Sequence, residues 1–355
     1  MTDSSGPRAT EPASAARLLR PDYDYAVSII VVSFNTCDLL RQCLKSARDE
    51  CARLPAGVAA EVLVVDNASR DGSADMVATE FSSGDPIRLI RSDVNLGFGV
   101  ANNRAIEAAR GRFLVLLNSD AFFEPGALAI ALAHMEANHG AGIGGARLES
   151  PDGAWQPSAR TFPGIVRDAF VLTGLASCFP RSRIFSAAER TWANPAEPAE
   201  VDWVTGAFMI VRREALAKAG LFDPAFFLYC EEVDLCRRIK AAGFGVLYWP
   251  EIRVIHLHGE SSRRVSTHLF SQDDSQVALW RMRSLFLYYR KHHGAKVWLA
   301  RWLEEVLYTA RFLRNRFSPA AARRERAREA TMLLRLLRRA WRETRGGRVS
   351  PPAPW

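Results

Sequence analysis

The sequence lacks several patterns by which proteins bind metals, form disulfides or cross membranes. Its 355 residues include six cysteines, at positions 37, 43, 51, 178, 230 and 236, none with C-x-x-C spacing. We therefore expect neither a zinc site nor a disulfide framework, and a reducing cytosol fits this cysteine usage best. No apolar run reaches the roughly 18 residues that a membrane-spanning helix needs, and no internal repeat is visible.

Both common glycine-rich phosphate motifs are also absent. A dinucleotide fold would place G-x-G-x-x-G after the first predicted strand, where residues 33–38 read SFNTCD, and no G-x-x-x-x-G-K-[ST] loop occurs. Gly97 and Gly99 lack a third glycine and follow the third predicted strand, so we expect a loop there. Neutralising a bound phosphate would then fall to a metal ion or to basic side chains.

Positive charge is concentrated in the C-terminal region. The chain carries a net charge of +8 and has an isoelectric point of 9.4. Residues 276–348 hold 19 Lys and Arg against five Glu, so the rest of the chain carries −6. The basic isoelectric point therefore reports a basic tail and not a basic enzyme body.

Four apolar runs within the first 120 residues each end in polar residues. They cover residues 27–32, 62–65, 87–90 and 114–117, and helical patterns at 39–47 and 74–81 lie between them. This alternation predicts an α/β fold with a parallel sheet covered on both faces. The last run ends in Asn118, Ser119 and Asp120, at the sheet edge where ligands of such folds bind. Asp120 could hold a divalent cation with a nucleotide diphosphate, although these residue types are also ordinary turn formers and helix caps.

Three carboxylates occur within four residues at 231–234. Adjacent carboxylates in a partly apolar cleft raise one another's pKa, which would suit Glu231 or Glu232 to accept a proton from a hydroxyl. Acidic residues also favour the first turn of a helix, and a helix from here to Lys240, stopped by Gly243, accounts equally well for them. Further on, His256 and His258 follow an apolar run, where they are either structural or supply a metal ligand or phosphate contact.

Six ordered segments resemble the inverting glycosyltransferases of family 2, which have the GT-A fold, and in particular their rhamnosyltransferase-like branch. They are VSIIVVSFN (27–35), VLVVDNASRDGS (62–73), NLGFGVANNRAI (95–106), LVLLNSDAFFEPGAL (114–128), VTGAFMIVRREAL (204–216) and LFDPAFFLYCEEVDLCRRIKAAGFGVLYWPEIRVIH (221–256). The resemblance implies an α/β nucleotide-diphospho-sugar transferase fold, with a mostly parallel sheet flanked by helices and a basic helical C-terminal extension.

The resemblance also implies a role for individual residues. Asp120 and His256 would bind Mg²⁺ or Mn²⁺, and Glu232 would be the general base, with Glu231 as the fallback. Trp203 and Gly206 would border the acceptor, although Trp203 could equally be a core residue. The donor nucleotide would contact Ser33, Phe34, Asn35, Asp66, Asn95, Asn102, Asn118 and Ser119. Asn118 departs from the Asp-x-Asp motif of many relatives, which leaves one carboxylate there to hold the cation.

The expected reaction is a single displacement that transfers a sugar from its nucleotide. We expect rhamnose from dTDP-rhamnose, and UDP-hexoses remain the alternative donors. The acceptor would be a glycan or a polyprenyl-linked glycan. Two other classes remain as alternatives: a catalytically inactive scaffold of the same fold, and an arginine-rich nucleic-acid-binding protein. The tail matches no motif that reads nucleic acid, and the carboxylate cleft would repel a polyanion, so we expect no nucleic-acid partner.

We expect four regions: a disordered tail without a signal peptide (1–25), the catalytic domain (26–265), a basic helical extension (266–346) and a short tail (347–355). Within the catalytic domain, the proline-containing segment 147–200 is expected to be a long connection with short helical pieces that covers the acceptor cleft.

A helical stripe in the extension comprises Leu299, Trp302, Leu303, Val306, Ala310 and Leu313, with Arg301, Glu304, Glu305 and Arg311 facing elsewhere. Arginines accompany the aromatic residues Trp280, Phe286, Tyr288, Tyr289, Trp298, Trp302 and Trp341. Together they predict a helix in an anionic membrane surface, and so a cytoplasmic protein held peripherally at the membrane. The alternative is that the stripe packs on the catalytic domain or on a second subunit in a homo-oligomer.

Overall fold

The computed structural model describes residues 18–19, 22–81, 84–257 and 273–351. Its strands are β1 Tyr25–Ser33, β2 Ala60–Asn67, β3 Ile87–Ser92, β4 Gly111–Asn118, β5 Ala121–Phe123, β6 Ala141–Glu149, β7 Trp155–Gln156, β8 Ala159–Arg160, β9 Ala199–Glu200, β10 Trp203–Val204, β11 Phe208–Arg212 and β12 Gly245–His256. Its α-helices are α1 Cys37–Ala52, α2 Ser73–Glu80, α3 Phe98–Ala108, α4 Ala127–Ala137, α5 Ile165–Leu172, α6 Leu175–Cys178, α7 Arg213–Ala219, α8 Glu231–Ala241, α9 Asp273–His293, α10 Val297–Asn315 and α11 Ala321–Glu343.

One sheet organises the first two thirds of the chain. Its order is β3-β2-β1-β4-β11-β6-β12-β5, with β7 paired to β6 and β9 paired to β12. Strands β3, β2, β1 and β4 run parallel, as do β6 and β12, whereas β11 and β5 are antiparallel to their neighbours. The predicted mostly parallel sheet is thus confirmed. The apolar runs at 246–250 and 253–256 form one strand, β12, with an irregularity between Trp249 and Arg253.

Helices cover both faces of this sheet because its central strands are apolar on both sides. In β1, Val27, Ile29 and Val31 pack with residues of α1, α2 and α4, whereas Ile30 points to the core shared with α3, α7 and α8. The predicted helices near 39–47, 74–81 and 231–240 correspond to α1, α2 and α8. Gly243, with φ +89°, follows the end of α8, as expected for a residue that stops a helix.

The segment 147–200 contains the expected short helices, α5 and α6, together with the short strands β7, β8 and β9. Most of the predicted N-terminal tail, residues 1–17 and 20–21, lies outside the described residues, as do 258–272 and 352–355. Leu18 is buried against the core. No helix within the described ranges is long and apolar enough to cross a membrane.

Four of the aromatic residues of the C-terminal region are buried, which the sequence pattern does not reveal. Trp280, Phe286, Tyr288 and Tyr289 are buried, because they pack between α9 and its neighbouring helices in two small cores. The expectation that they lie in a membrane surface is therefore wrong for these four.

The predicted stripe on α10 is turned away from the protein. Leu299, Trp302, Val306 and Leu313 are all more than 40% exposed, so these four residues do not pack on the described part of the catalytic domain. The opposite face of α10 packs inward and includes Glu304, whose pKa burial raises to about 7.

Glycines in β6 allow the neighbouring side chains to pack against the sheet. A methyl group at Gly144 would overlap the Trp249 ring, whereas one at Gly140, just before β6, meets no atom within 4 Å. We predict that Gly144→Ala lowers the free energy of unfolding by about 1–3 kcal/mol through overpacking. The matched control Gly140→Ala should change it by less than about 1 kcal/mol. Urea denaturation measures both, and equal midpoints for the two variants would contradict the packing argument.

Candidate active site

The carboxyl ends of three parallel strands meet at one level of the sheet. Ser33 in β1 is in register with Asp66 in β2, and Val32 is in register with Asn118 in β4. The polar residues that follow each apolar run are therefore neighbours in space. The structure brings the predicted nucleotide-binding residues of these three strands to a single edge.

Hydroxyl groups join two of these strand ends. The Thr36 hydroxyl lies 2.9 Å from the Ser33 hydroxyl and donates to Ser119 Oγ, also at 2.9 Å. All three side chains are buried. Because buried hydroxyl groups need partners, these hydrogen bonds between hydroxyl groups fix the loop after β4, and with it Asp120, relative to β1.

The loops after β1 and β2 hold each other in strained conformations. Asn35 and Ala68 adopt positive φ angles of 54° and 67°. The backbone N–H of Asn35 donates to Ser69 Oγ at 3.0 Å, and the backbone N–H of Arg70 donates to Asn35 Oδ1 at 2.7 Å. Non-glycine residues with positive φ persist where surrounding contacts enforce them, and they concentrate at functional sites.

Asp66 presents a buried oxygen towards this edge. Its Oδ2 accepts a hydrogen bond from the Ser69 amide at 3.2 Å. Its Oδ1 is buried and has no hydrogen-bond partner within the described part of the chain. A buried carboxylate oxygen without a partner is costly, so a ligand N–H at this point would stabilise it.

The predicted residues Asn95 and Asn102 are both buried and stabilise the chain around α3. Asn67 Nδ2 donates to Asn95 Oδ1 at 2.9 Å, and the Gly97 amide donates to the same oxygen at 2.9 Å. Asn102 Nδ2 donates to the Phe98 carbonyl at 2.9 Å. The Asn95 side chain therefore shapes the loop before α3, whereas Asn102 bonds within the helix.

Asp120 and His256 lie side by side although 136 positions separate them. Strands β5 and β12 pair so that Ala121 is opposite His256, and His256 Nε2 lies 3.5 Å from Asp120 Oδ1. Gln156 Nε2 donates to the His256 carbonyl at 2.9 Å, which turns Gln156 Oε1 towards His256 Nδ1 at 3.0 Å. In the neutral imidazole, Nδ1 is then the donor, and the lone pair of Nε2 faces the carboxylate.

This pair suits a divalent cation that takes its remaining ligands from a substrate. No group of three or more His, Cys, Asp or Glu residues converges as a metal site within the described ranges. His258, the other predicted histidine, lies outside those ranges. Mg²⁺ and Mn²⁺ are commonly held by one or two protein ligands with substrate phosphates and water, which Asp120 and His256 can supply.

Two residues with positive φ angles directly precede the two candidate general bases. Tyr229 and Cys230 both have positive φ, 70° and 66°, immediately before Glu231 begins α8. Oε2 of Glu231 and Oε2 of Glu232 are buried without hydrogen-bond partners in the described structure. Burial, and then the charge of Glu232, raises the pKa of Glu231 well above its usual range. Burial also raises the pKa of Glu232, against the opposing effects of backbone amides and Arg160.

The third carboxylate of this segment, Asp234, has a structural role. It forms ion pairs with Arg238 at 2.8 Å and Lys291 at 2.7 Å, and it contacts His292 Nε2 at 2.7 Å. Burial alone would raise the pKa of Asp234, but His292 and the two cations outweigh it and lower the pKa. Asp234 therefore joins α8 to α9.

The two predicted acceptor residues contact the segment 147–200 and the start of α3. Trp203 is half-buried, donates from Nε1 to the Thr161 carbonyl at 2.8 Å and has the Arg160 guanidinium 5.4 Å from its ring. A methyl group at Gly206 would lie 3.3 Å from the Phe98 ring. The Trp203 indole thus packs in the core on one side, and Gly206 allows α3 to approach.

Close backbone contacts join the strand edge to the acidic pair. The Phe98 amide donates to the Phe227 carbonyl at 3.1 Å, and a methyl group at Gly97 would overlap that carbonyl. A methyl at Gly99 would lie 3.5 Å from the Cβ of Glu231. On the other side, the Asn118 amide donates to the Ala207 carbonyl at 3.1 Å. The strand edge, α3 and the residues just before α8 are therefore direct neighbours.

A family model described as Glycosyl transferase family 2 matches residues 28–219, more than half of the chain. The chain belongs to glycosyl transferase family 2. It is 30% identical over 226 residues to N-acetylglucosaminyl-diphospho-decaprenol L-rhamnosyltransferase of Mycobacterium tuberculosis, covering 60% of this chain and 72% of that protein. It is 34% identical over 88 residues to Rhamnosyltransferase WbbL of Escherichia coli, covering 25% of this chain and 30% of that protein.

Solved structures support the same fold for this glycosyltransferase. The mannosyltransferase PcManGT from Pyrobaculum calidifontis has a TM-score of 0.54 at 16% identity, covering 93% of each chain. The structure of GalNAc-T7 has a TM-score of 0.56 at 14% identity, covering 80% of this chain and 51% of that one. The sheet with its flanking helices is the GT-A fold, as the sequence resemblance implies.

Three residues of the glycosyltransferase site escape analysis of the sequence. Thr36 and Asn67 directly follow residues that the motifs identify, so their position in the sequence is a signal. Their hydrogen bonds are not: Asn67 bonds to the loop before α3, and Thr36 bonds to the loop after β4. Gln156 has no such signal, because it contacts His256 across 100 positions. All three position other side chains of the site.

The pKa shifts of the acidic residues of the glycosyltransferase predict opposite effects of pH on stability. A raised pKa in Glu231 contributes stability below the usual carboxyl value of 4.5, and this contribution is lost as pH rises through the folded-state pKa. Glu231→Gln should therefore gain stability relative to the parent protein between pH 5 and pH 8.

Asp234→Asn serves as the control of opposite sign. The lowered pKa of Asp234 contributes stability above its usual value of 3.8 that is lost in acid, so this variant should be most destabilised at neutral pH, by about 3 kcal/mol. Urea denaturation at several pH values measures both. Glu231→Gln and parent curves that stay parallel would contradict the buried position of Glu231.

Proposed function

We propose that this glycosyltransferase moves rhamnose from dTDP-rhamnose to a glycan or a polyprenyl-diphosphate-linked glycan, with inversion at the anomeric carbon. The observation that carries the proposal is the buried pair of Asp120 and His256 at the edge where β1, β2 and β4 end. Two relatives, both rhamnosyltransferases, support the choice of sugar, and the N-acetylglucosaminyl-diphospho-decaprenol L-rhamnosyltransferase supports a polyprenyl-linked acceptor.

The donor nucleotide would lie along the strand edge. Asp66 Oδ1, buried without a partner in the described structure, would accept the N–H of a pyrimidine base. Ser33, Phe34 and Asn35 would line the nucleoside, whereas Asn95 and Asn102 would shape the adjoining loop and helix. Asn118 and Ser119 would place the diphosphate beside Asp120.

Asp120 and His256 would hold Mg²⁺ or Mn²⁺. Two solved structures of the same fold are complexes with Mn²⁺, one with GDP-mannose and the other with UDP and GalNAc. The bound ion would neutralise the diphosphate and stabilise it as a leaving group. Gln156 would keep the His256 Nε2 lone pair directed at the ion, because it fixes the proton on Nδ1.

Glu232 would act as the general base, and Glu231 is the fallback. Glu232 would accept the proton of the acceptor hydroxyl while that oxygen attacks the anomeric carbon. The bond from this carbon to the diphosphate oxygen breaks on the opposite side, so the configuration inverts. Buried carboxylates with raised pKa values have greater basicity at neutral pH, provided that they are ionised when the acceptor binds.

The acceptor would enter beside Trp203 and Gly206, under the segment 147–200. Trp203 donates its indole N–H to the protein, and Arg160 lies over its ring. Its role would be to shape the cleft wall together with Arg160, whose charge also opposes the rise that burial causes in the pKa of Glu232. Contacts of this kind orient an acceptor without taking part in proton transfer.

Donor binding tests the metal and nucleotide assignments. We expect one of a panel of dTDP- and UDP-sugars to bind in calorimetry only with Mn²⁺ or Mg²⁺, with dTDP-rhamnose favoured. Asp120→Asn should weaken this binding at least about tenfold, since it removes the only charged ligand of the pair. Asp49→Asn, at an exposed position on α1, is the matched control. Metal-independent binding that survives Asp120→Asn would overturn the proposed metal site.

Transfer kinetics test the base separately. Glu232→Gln should lower kcat about 10²–10⁴-fold while donor affinity stays within about twofold, because a base acts on the acceptor and not on the donor. The same measurement on Glu231→Gln distinguishes the two candidates. A larger loss of kcat in Glu231→Gln than in Glu232→Gln would assign the base to Glu231.

A further inference from the structure

Helix α10 has two apolar faces, and the described part of the protein covers only one of them. The inner face, with Val297, Ala300, Glu304, Tyr308 and Asn315, is buried. The outer face comprises Trp298, Leu299, Trp302, Val306 and Leu313, which are between 41% and 60% exposed. At about 100° per residue, the outer set falls within one arc of about 100°, directly opposite the inner face.

An exposed stripe of this size is unusual for a helix that already has a buried face. Amphipathic helices normally place charged and polar residues opposite their buried stripe. The stripe also continues past the helix end, where Phe317 is 80% exposed. Contiguous exposed apolar surface of this kind marks an interaction site.

The surroundings of this stripe are positively charged. Residues 297–343 contain twelve arginines against five glutamates, which makes a contact with an anionic surface favourable. Neither glutamate of α10 lies in the outer arc: Glu304 is buried, and Glu305 pairs with Arg301 and Arg338 at 2.8 and 3.0 Å. Arg314 and Arg316, both exposed, lie beside the outer face near its C-terminal end.

A cationic cavity adjoins the N-terminal end of α10. It has a volume of about 520 Å³ and is lined by Arg167, Arg237, His293 and Lys296, with Asp202 as its acidic lining residue. Lys296 directly precedes α10. Burial and the charges of Arg237 and Lys296 lower the pKa of His293, which agrees with an excess of positive charge there.

We propose that the outer face of α10 is a docking surface for an anionic lipid membrane. Trp298 and Trp302 would lie at the level of the lipid headgroups, with Leu299, Val306 and Leu313 reaching the acyl boundary. Arg314, Arg316 and the cationic cavity would contact lipid phosphates at the two ends of the helix.

The charge distribution favours a membrane over a second copy of this chain. In a twofold contact the same surface faces itself, so the arginines of each copy would oppose those of the other. An anionic lipid surface supplies the opposite charge along the whole helix. The proposal is independent of the proposed sugar and reaction, because its test measures binding and not transfer.

Vesicle sedimentation of the full chain tests the apolar stripe. We expect binding to phosphatidylcholine vesicles containing 30% phosphatidylglycerol. The double variant Trp302→Gln, Leu313→Gln should lower the partition coefficient at least about tenfold, because it removes apolar side chains from the stripe. Val94→Gln changes an equally exposed apolar residue of the catalytic domain and should bind as the parent does. Circular dichroism of each variant checks that the helices remain folded.

The charge requirement is tested in the same assay. Arg314→Gln with Arg316→Gln should lower the partition coefficient at least about tenfold, and raising the salt concentration should have the same effect on the parent. Arg104→Gln, at an exposed position on α3, is the matched control and should have little effect.

Three results would overturn the membrane assignment. One is no binding of the parent to vesicles at low salt, and the second is equal binding of the parent and the stripe variant. The third is a dimer in analytical ultracentrifugation that Trp302→Gln, Leu313→Gln converts to a monomer, without vesicle binding by either protein. That last result would assign the stripe to contact between copies.

Discussion

The register of three parallel strands is the constraint on which the candidate site depends. Ser33, Asp66 and Asn118 can share one edge only because β1 lies between β2 and β4 with its end level with theirs. A slip of one residue would exchange the two faces of a strand and bury its polar end in the wrong layer. The hydroxyl chain through Thr36 then extends this order into the loop that carries Asp120.

The acidic pair depends on support from outside the sheet. Positive φ angles at Tyr229 and Cys230 cost energy, and neighbouring contacts must offset that cost. Ser284 in α9 donates to the Leu228 carbonyl at 2.7 Å, and Asp234 contacts Lys291 and His292. The basic helical region is thus part of the structure that holds α8 in place. This contact with α8 agrees with the burial of the aromatic residues of α9.

The order of strands and helices could be predicted because it is recorded in local patterns. Apolar runs that end in polar residues locate β1, β2 and β4, and the carboxylates at 231–234 locate the start of α8. Periodicity cannot tell which stripe of a helix faces the protein: α10 has apolar residues on both sides, and its burial depends on α9 and α11. Likewise, nothing local distinguishes Asp234, which contacts Lys291 and His292, 57 and 58 positions away, from Glu232, which does not.

Through Gln156, the segment between β6 and β11 contacts His256 as well as the proposed acceptor cleft. This segment borders the proposed acceptor cleft, and it also contributes, through β7, the side chain that orients His256, a residue of the proposed donor site. Exchanging the segment for that of another family member to change the acceptor would therefore also change the imidazole tautomer, unless an amide is kept at position 156. If the proposed donor and acceptor sites are correct, acceptor preference and donor affinity are linked through Gln156, so a chimaera that alters one would also change the other.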